Sequence, residues 1–284
     1  MIISVASGKG GTGKTTIATN LAATLGKHCT FLDCDVEEPN AHLFLKPDIH
    51  SRQDVFTFLP EVDKSKCDQC GKCRDICRFG AITIVGSSLL LFGELCHSCG
   101  GCMEVCPQKC ISEGKRLLGT IESGKAHGVE FHHGILRVGE AMSPPLIKRI
   151  RKEFEKGETI IIDAPPGTSC PVIAAMHQAD FVVLVTEPTP FGLHDLKLAH
   201  ETINQMGLAS GVVINRANLG DNSVQEYARA NDLPILLEIP FSKTVAEHYS
   251  RGTLLVDTDP SWRHMFQELF ATIEKQATAV RSEA

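Results

Sequence analysis

Apolar residues in this chain fall into short, nearly unbroken runs, separated by longer stretches in which they recur every three or four positions. The runs at 2–6, 29–32, 159–162, 181–185, 211–214 and 234–241 have the length of strands and carry few polar residues inside them. Strands that are apolar on both faces belong inside a parallel sheet. Between them, Ile17, Leu21 and Leu25 recur at helical spacing, and a charged helix is predicted to run to about Lys156. Its Lys148, Arg149, Arg151, Lys152, Glu153 and Glu155 read as a solvated face. A last helix over 262–277 lines up Met265, Phe266, Leu269, Phe270 and Ile273. This alternation predicts an α/β fold, a mostly parallel sheet flanked by helices, with ligands at the carboxyl ends of the strands. The final stripe would also suit a membrane-surface helix, but its polar face is poor in Lys and Arg, so packing on the sheet is the expected use.

The first strand runs into Gly8-Lys9-Gly10-Gly11-Thr12-Gly13-Lys14-Thr15, followed by Thr16 and the first helix. Strand, glycine loop and helix in this order, with Gly-Lys-Thr in register, form the context of a phosphate loop. Its glycines let backbone N–H groups turn inward, and the helix N-terminus adds partial positive charge. Lys14 is then placed against the β- and γ-phosphates of ATP, or the β-phosphate of ADP, and the Thr15 hydroxyl against Mg²⁺. Two later runs end in acids at the same level: 29–35 closes on Asp33 and Asp35, and 159–163 closes on Asp163.

Lys9 is not needed by an ordinary phosphate loop. With it, the loop resembles the deviant Walker A form of the MinD/ParA/Mrp superfamily of P-loop ATPases. The resemblance implies a homodimer closed over two ATP molecules, with Lys9 reaching the partner's phosphates. It further implies that Asp35 orients or deprotonates the attacking water, that Asp163 is the Walker B acid, and that Asn215 reads the adenine edge. Residues 164–169, Ala-Pro-Pro-Gly-Thr-Ser, resemble the Mrp form of switch II. Asp33 reads equally well as a turn acid, and Pro39-Asn40 as a turn.

The pattern breaks between 64 and 113, where Cys67, Cys70, Cys73 and Cys77 are followed by Cys96, Cys99, Cys102 and Cys106-Pro107. Both runs have the C-x₂-C-x₂-C-x₃-C spacing of bacterial ferredoxins, in which the fourth cysteine serves the other cluster. The segment resembles an inserted two-cluster ferredoxin domain. The motif implies Cys67, Cys70, Cys73 and Cys106 around one [4Fe–4S] cluster, and Cys96, Cys99, Cys102 and Cys77 around the second. Zinc knuckles are the competing reading of paired C-x-x-C, disfavoured because two full runs share one spacing. Residues 81–85 and 110–112 are expected to be short flanking strands. Arg78 stands where the first run would have proline, and Cys110 reads as a buried thiol. The nucleotide domain is accordingly predicted to comprise 1–63 and 114–284. His127, His132 and His133 lie in a glycine-punctuated stretch and read as ordinary polar residues. Cys170 falls where the nitrogenase iron protein has a cluster ligand. No second cysteine lies between Cys110 and Cys170 and none follows it, so a bridging cluster is not expected there.

Composition narrows the function. In 284 residues, 28 Lys and Arg against 34 Asp and Glu give a net charge of −6, which argues against nucleic acid as a partner. No apolar run is long enough for stable membrane insertion. The chain enters its first strand at once, so no export signal is expected; in a cytoplasmic, reducing location the clustered cysteines among the twelve are metal ligands rather than disulfides. Three functions fit: an ATP-gated electron carrier with a redox partner protein, an ATP-dependent iron–sulfur or metal-cluster assembly or delivery factor, and a redox-sensing positioning ATPase.

Overall fold

The structure, a computed structural model, describes residues 1–86, 88–154 and 158–283. In chain order the elements are β1 (Ile2–Ala6), α1 (Lys14–Leu25), β2 (Cys29–Asp33), α2 (His42–Leu45), β3 (Asp48–Val62), α3 (Lys72–Ile76), β4 (Ile82–Val85), β5 (Ser88–Leu91), α4 (Gly101–Glu104), β6 (Ile111–Ala126) and β7 (Val129–Leu136). They continue as α5 (Pro144–Phe154), β8 (Thr159–Asp163), α6 (Cys170–Met176), β9 (Phe181–Thr186), α7 (Pro190–Gln205), β10 (Ser210–Asn215), α8 (Ser223–Ala230), β11 (Ile235–Ile239), α9 (Lys243–Ser250) and α10 (Pro260–Glu283). The helix end expected near Glu155 and Lys156 lies outside the described residues.

Among the described residues, nine strands form one sheet in the order β11-β10-β9-β1-β8-β2-β7-β6-β3. The seven from β11 to β7 are parallel, and β6 and β3 add two antiparallel strands at the edge. The all-apolar runs are explained by the two faces. Along β8, Ile160 and Ile162 face a core with α5, α6, α7 and α8, while Ile161 faces the opposite core. That second core holds Ile17 and Leu21 of α1 and Phe266, Leu269 and Ile273 of α10, so the C-terminal stripe packs on the sheet. No described helix is long and apolar enough to cross a membrane.

The sheet edge departs from the sequence reading. The stretch around His127–His133 is a hairpin joining β6 to β7, and His133 is buried, its Nε2 2.9 Å from Glu122 Oε2. Residues 111–112, expected in a short flanking strand, open the 16-residue β6. β6 pairs with β3 along its length, from Asp48 opposite Lys125 to Val62 opposite Ile111. These two long strands carry the cysteine-rich segment away from the main sheet. Beyond them, β4 and β5 form a separate two-stranded sheet. Its residues Ile82 and Leu89 pack with Cys73, Cys102, Cys110 and Ile111 in a small third core.

Candidate functional site

β1 lies between β8 and β9, so its carboxyl end opens at the middle of the sheet. The loop that follows needs glycine at two positions for different reasons. Gly13 has φ of 94°, and a Cβ there would strike the Asn215 side chain. Gly8 passes so close to the Asp195 carbonyl of α7 that no side chain fits. Asn215 Nδ2 donates to the Thr12 carbonyl at 2.8 Å, which pins the end of β10 to the loop. Gly167 N donates to Ser7 O at 2.9 Å and ties the 164–169 segment to it. A cavity of about 450 Å³ opens here, bounded by Gly10, Gly11, Gly13, Lys14, Thr15 and Thr16 at one end and reaching past Asn215 to Pro240 and Phe241. Phosphate-binding backbone at one end and apolar side chains at the other suit a nucleotide. Lys9 is half-buried and has no ion-pair partner among the described residues.

The charges at the loop are out of balance. Lys14 Nζ lies 3.1 Å from Asp163 Oδ1 and 3.7 Å from Asp35 Oδ2. Asp33, fully buried beside Asp163 in the strand register, accepts hydrogen bonds from the backbone N–H groups of Asp35 and Ala41, both at 3.1 Å. Asp33 is therefore the acid that shapes the turn, and Asp35 is the one presented to the cavity. Burial works against the Lys14 charge, but Asp163, Asp35 and Asp33 outweigh it and hold the ammonium above its ordinary value. The carboxyls respond in the opposite sense. Burial, opposed by Lys14 and reinforced by Asp163, Glu38 and Glu37, pushes Asp35 up to about 6. Burial and the neighbouring Asp163 raise Asp33 well above the usual carboxylate range. Three acids face one lysine, and Asp163 Oδ2 is buried without a hydrogen-bond partner. An acid-rich pocket with an orphaned carboxylate oxygen, at a cavity that Thr15 also lines, fits a hydrated Mg²⁺.

The cysteines form two separate sets. Cys67, Cys70, Cys73 and Cys106, together with Cys110, line one small cavity. Cys77, Cys96, Cys99 and Cys102 line a second. This grouping is the one a crossed ligand set requires. Among the described residues, no three His, Cys, Asp or Glu side chains converge as a single bound metal ion would need. Thiols spread around a cavity fit a polynuclear group instead, because ligands of one tetrahedral ion stand only about 3.8 Å apart. Of the other cysteines, Cys29 and Cys34 are buried in the main cores and Cys170 is exposed at the start of α6.

A polar path that sequence reasoning missed runs from the second set to the turn after β2. The buried Arg116 of β6 donates to the carbonyls of Gly93 and Cys96 and pairs with Glu140 Oε1 at 3.1 Å. Glu140 accepts from Met142 N at 3.3 Å, and the adjacent Ser143 Oγ donates to Glu37 Oε1 at 2.9 Å. Glu37 lies two residues after Asp35. Arg116, Glu140 and Ser143 sit in no spacing motif, so only their position in the fold gives them meaning.

A glycine loop between the central strand and its helix, met by acids from two neighbouring strands, defines a P-loop nucleotide-binding protein. Residues 3–256 match the family described as the CobQ/CobB/MinD/ParA nucleotide binding domain, and the chain belongs to that family. Two uncharacterized proteins of Methanocaldococcus jannaschii are similar to it. One is 30% identical, over 89% of this chain and 90% of its own length; the other is 31% identical over 97% of each. An iron-sulfur cluster carrier protein of Aquifex aeolicus is 24% identical over 91% of this chain and 62% of its own length. Among solved structures, the septum site-determining protein MinD of Pyrococcus horikoshii, complexed with Mg-ADP, superimposes with a TM-score of 0.62. It covers 98% of both chains at 21% identity and so shows the fold.

Proposed function

We propose that this chain is a Mg²⁺-dependent ATPase that acts as a nucleotide-dependent homodimer. In this reading it couples its ATP state to electron transfer through two [4Fe–4S] clusters held in an inserted ferredoxin-like unit over 64–113. The observation that carries the reading is the presence, in one chain, of a carboxylate-rich nucleotide cavity and two further cavities, one lined by five thiols and the other by four. Mg-ADP in the Pyrococcus MinD and the cluster-carrying role of the Aquifex relative lend support from outside the chain.

The residues divide the work as follows. Backbone N–H groups of Gly10 to Thr15 cradle the phosphates, and Lys14 turns from Asp163 and Asp35 to the β- and γ-oxygens. The Thr15 hydroxyl and Asp163 would hold Mg²⁺, which would neutralise phosphate charge. Asp35, with its carboxyl poised near 6, accepts a proton from the attacking water and is ionised for that task at neutral pH. Lys9, unpaired in a single chain, reaches the phosphates of the facing subunit. Phe191, exposed in the first turn of α7, suits a face buried between two copies. Asn215 and the residues from Ile239 to Phe241 border the base. The clusters supply one-electron exchange, held by Cys67, Cys70, Cys73 and Cys106 and by Cys77, Cys96, Cys99 and Cys102.

The Aquifex relative favours a second reading, ATP-dependent assembly or delivery of clusters to a partner protein. Anaerobic protein that is reduced and reoxidised reversibly, with iron that resists chelators, supports electron transfer; iron lost rapidly to a chelator when ATP is added supports delivery. Both readings need the loop: Lys14→Ala is expected to abolish ATP turnover, and unchanged turnover would remove the assignment.

A further inference from the structure

Cys110 stands outside both four-cysteine runs, yet it lines the first thiol cavity together with Cys67, Cys70, Cys73 and Cys106. It is four residues after Cys106, and a tight turn returns it to the cavity. Lys109 N donates to Cys106 O at 3.2 Å and Lys109 takes a left-handed φ of 46°. Asp63 N then donates to the Cys110 carbonyl at 2.8 Å, which locks its backbone where β6 begins. The Cys110 side chain is buried, whereas Cys106 is partly exposed. Their sulfurs are 3.5 Å apart. With metal–sulfur bonds of about 2.3 Å, two thiolates on one tetrahedral metal stand about 3.8 Å apart. Cys110 can therefore reach the metal that Cys106 holds without displacement of the backbone. The first run offers an internal comparison: the residue four after Cys77 is Ala81, buried beside the second cavity.

We propose that Cys110 is a reserve ligand of the first cluster, so that its iron at this corner is held by either Cys106 or Cys110. The inference rests on the iron–sulfur reading above. In the exchange, the Cys106 Sγ–iron bond breaks and a Cys110 Sγ–iron bond forms. The Cys110 proton passes to the released Cys106 sulfur, and the electron count of the cluster is unchanged. The exchange moves the point of attachment from a partly exposed thiol to a buried one. The second cluster, with Ala81 at the matching position, has no such reserve.

The full chain, purified anaerobically, would be compared as wild type, Cys106→Ala, Cys110→Ala, Cys106→Ala with Cys110→Ala, and Cys77→Ala. The readouts are iron and acid-labile sulfide per chain and the paramagnetic resonance spectrum after reduction, with ADP binding as the check on folding. About eight iron atoms are expected in the wild type and in each of the first two single variants. About four are expected in the double variant and in Cys77→Ala. Cys106→Ala falling to about four iron atoms, or to about seven with a three-iron signal, would overturn the reserve role. So would loss of iron in Cys110→Ala alone, or full retention in Cys77→Ala. Wild-type protein without iron is a separate outcome, one that removes the iron–sulfur reading itself.

Discussion

Asp35 is charged at neutral pH in a pocket that already holds Asp33 and Asp163, with Lys14 as their shared cation. Burial is the largest cause that raises its carboxyl from the ordinary 3.8 to about 6, and the attraction of Lys14 only partly opposes it. Because the folded value lies above the unfolded one, the sign is the reverse of a salt-bridged aspartate. The stability carried by the protonated carboxyl is fully present below about pH 4 and is lost as pH rises through about 6. At about 1.4 kcal/mol per pH unit the shift corresponds to ~3 kcal/mol. With 15% of the side chain open to water, screening reduces the expected effect to about 2 kcal/mol. Asp35→Asn keeps the shape and removes the charge. Above pH 6.5 or so, the nucleotide-free variant should be more stable than the wild type by about 2 kcal/mol, roughly 4–8 °C in melting temperature, and the gain should shrink toward zero near pH 4. Urea or thermal unfolding of both proteins from pH 5 to 8 measures the difference directly. A variant no more stable at pH 7.5, or a difference that is flat with pH, refutes the argument. The same substitution should abolish ATP turnover, since in the proposed mechanism the charge that burdens the empty site is the base.

Lys9→Ala should leave the affinity of a single chain for ADP within about twofold but prevent ATP-dependent dimerisation, read by light scattering with ATP and a hydrolysis-blocking substitution; an ATP dimer of normal stability would remove the trans role. Cys73→Ser should lose about half of the iron and the visible absorption of one cluster while ADP binding is retained. A parallel loss of nucleotide affinity would mean that the two units are not separable.

The parts of this molecule that the sequence announces are those where chemistry restricts both residue type and spacing. The phosphate loop needs Gly13 because of its positive φ and its closeness to Asn215, and the cysteine runs are legible because their spacing is that of a ligand motif. The central strands were legible because burial on both faces demands unbroken apolar runs, as in Thr159–Asp163. Asp33 was ambiguous in sequence because capping and catalysis both use aspartate; its two backbone donors show which task it has. β3 was invisible. It is an edge strand, mostly exposed, and Val55 and Pro60 are its only buried residues, so no alternation marks it. Glycines 114, 119 and 124 interrupt β6 in the same way. With both strands unread, His133 had no visible partner and looked like surface, although Glu122 stands opposite it in the register.

These unread strands are also where the two halves of the proposed function meet. Arg116 reaches from β6 to the backbone carbonyl of Cys96, a proposed ligand of the second cluster, while Glu140 and Ser143 lead to Glu37 and so to the Asp35 turn. In the proposed coupling, an ATP-driven shift of that turn would alter the Ser143–Glu37 contact directly, and the buried Arg116–Glu140 pair would carry the displacement toward Cys96. Truncating Glu140 would leave the arginine buried and unpaired and would confuse coupling with unfolding, at a cost of about 3–5 kcal/mol. Ser143→Ala is the cleaner cut, since it removes one partly buried hydrogen bond worth about 1 kcal/mol. If the path carries the coupling, the variant should keep both midpoint potentials of the nucleotide-free protein. The shift that ATP produces in the second cluster should shrink, and that of the first should change less. Potentiometric titration of each cluster with and without ATP decides the matter, because an identical ATP-induced shift in the variant and the wild type would mean that this contact transmits nothing.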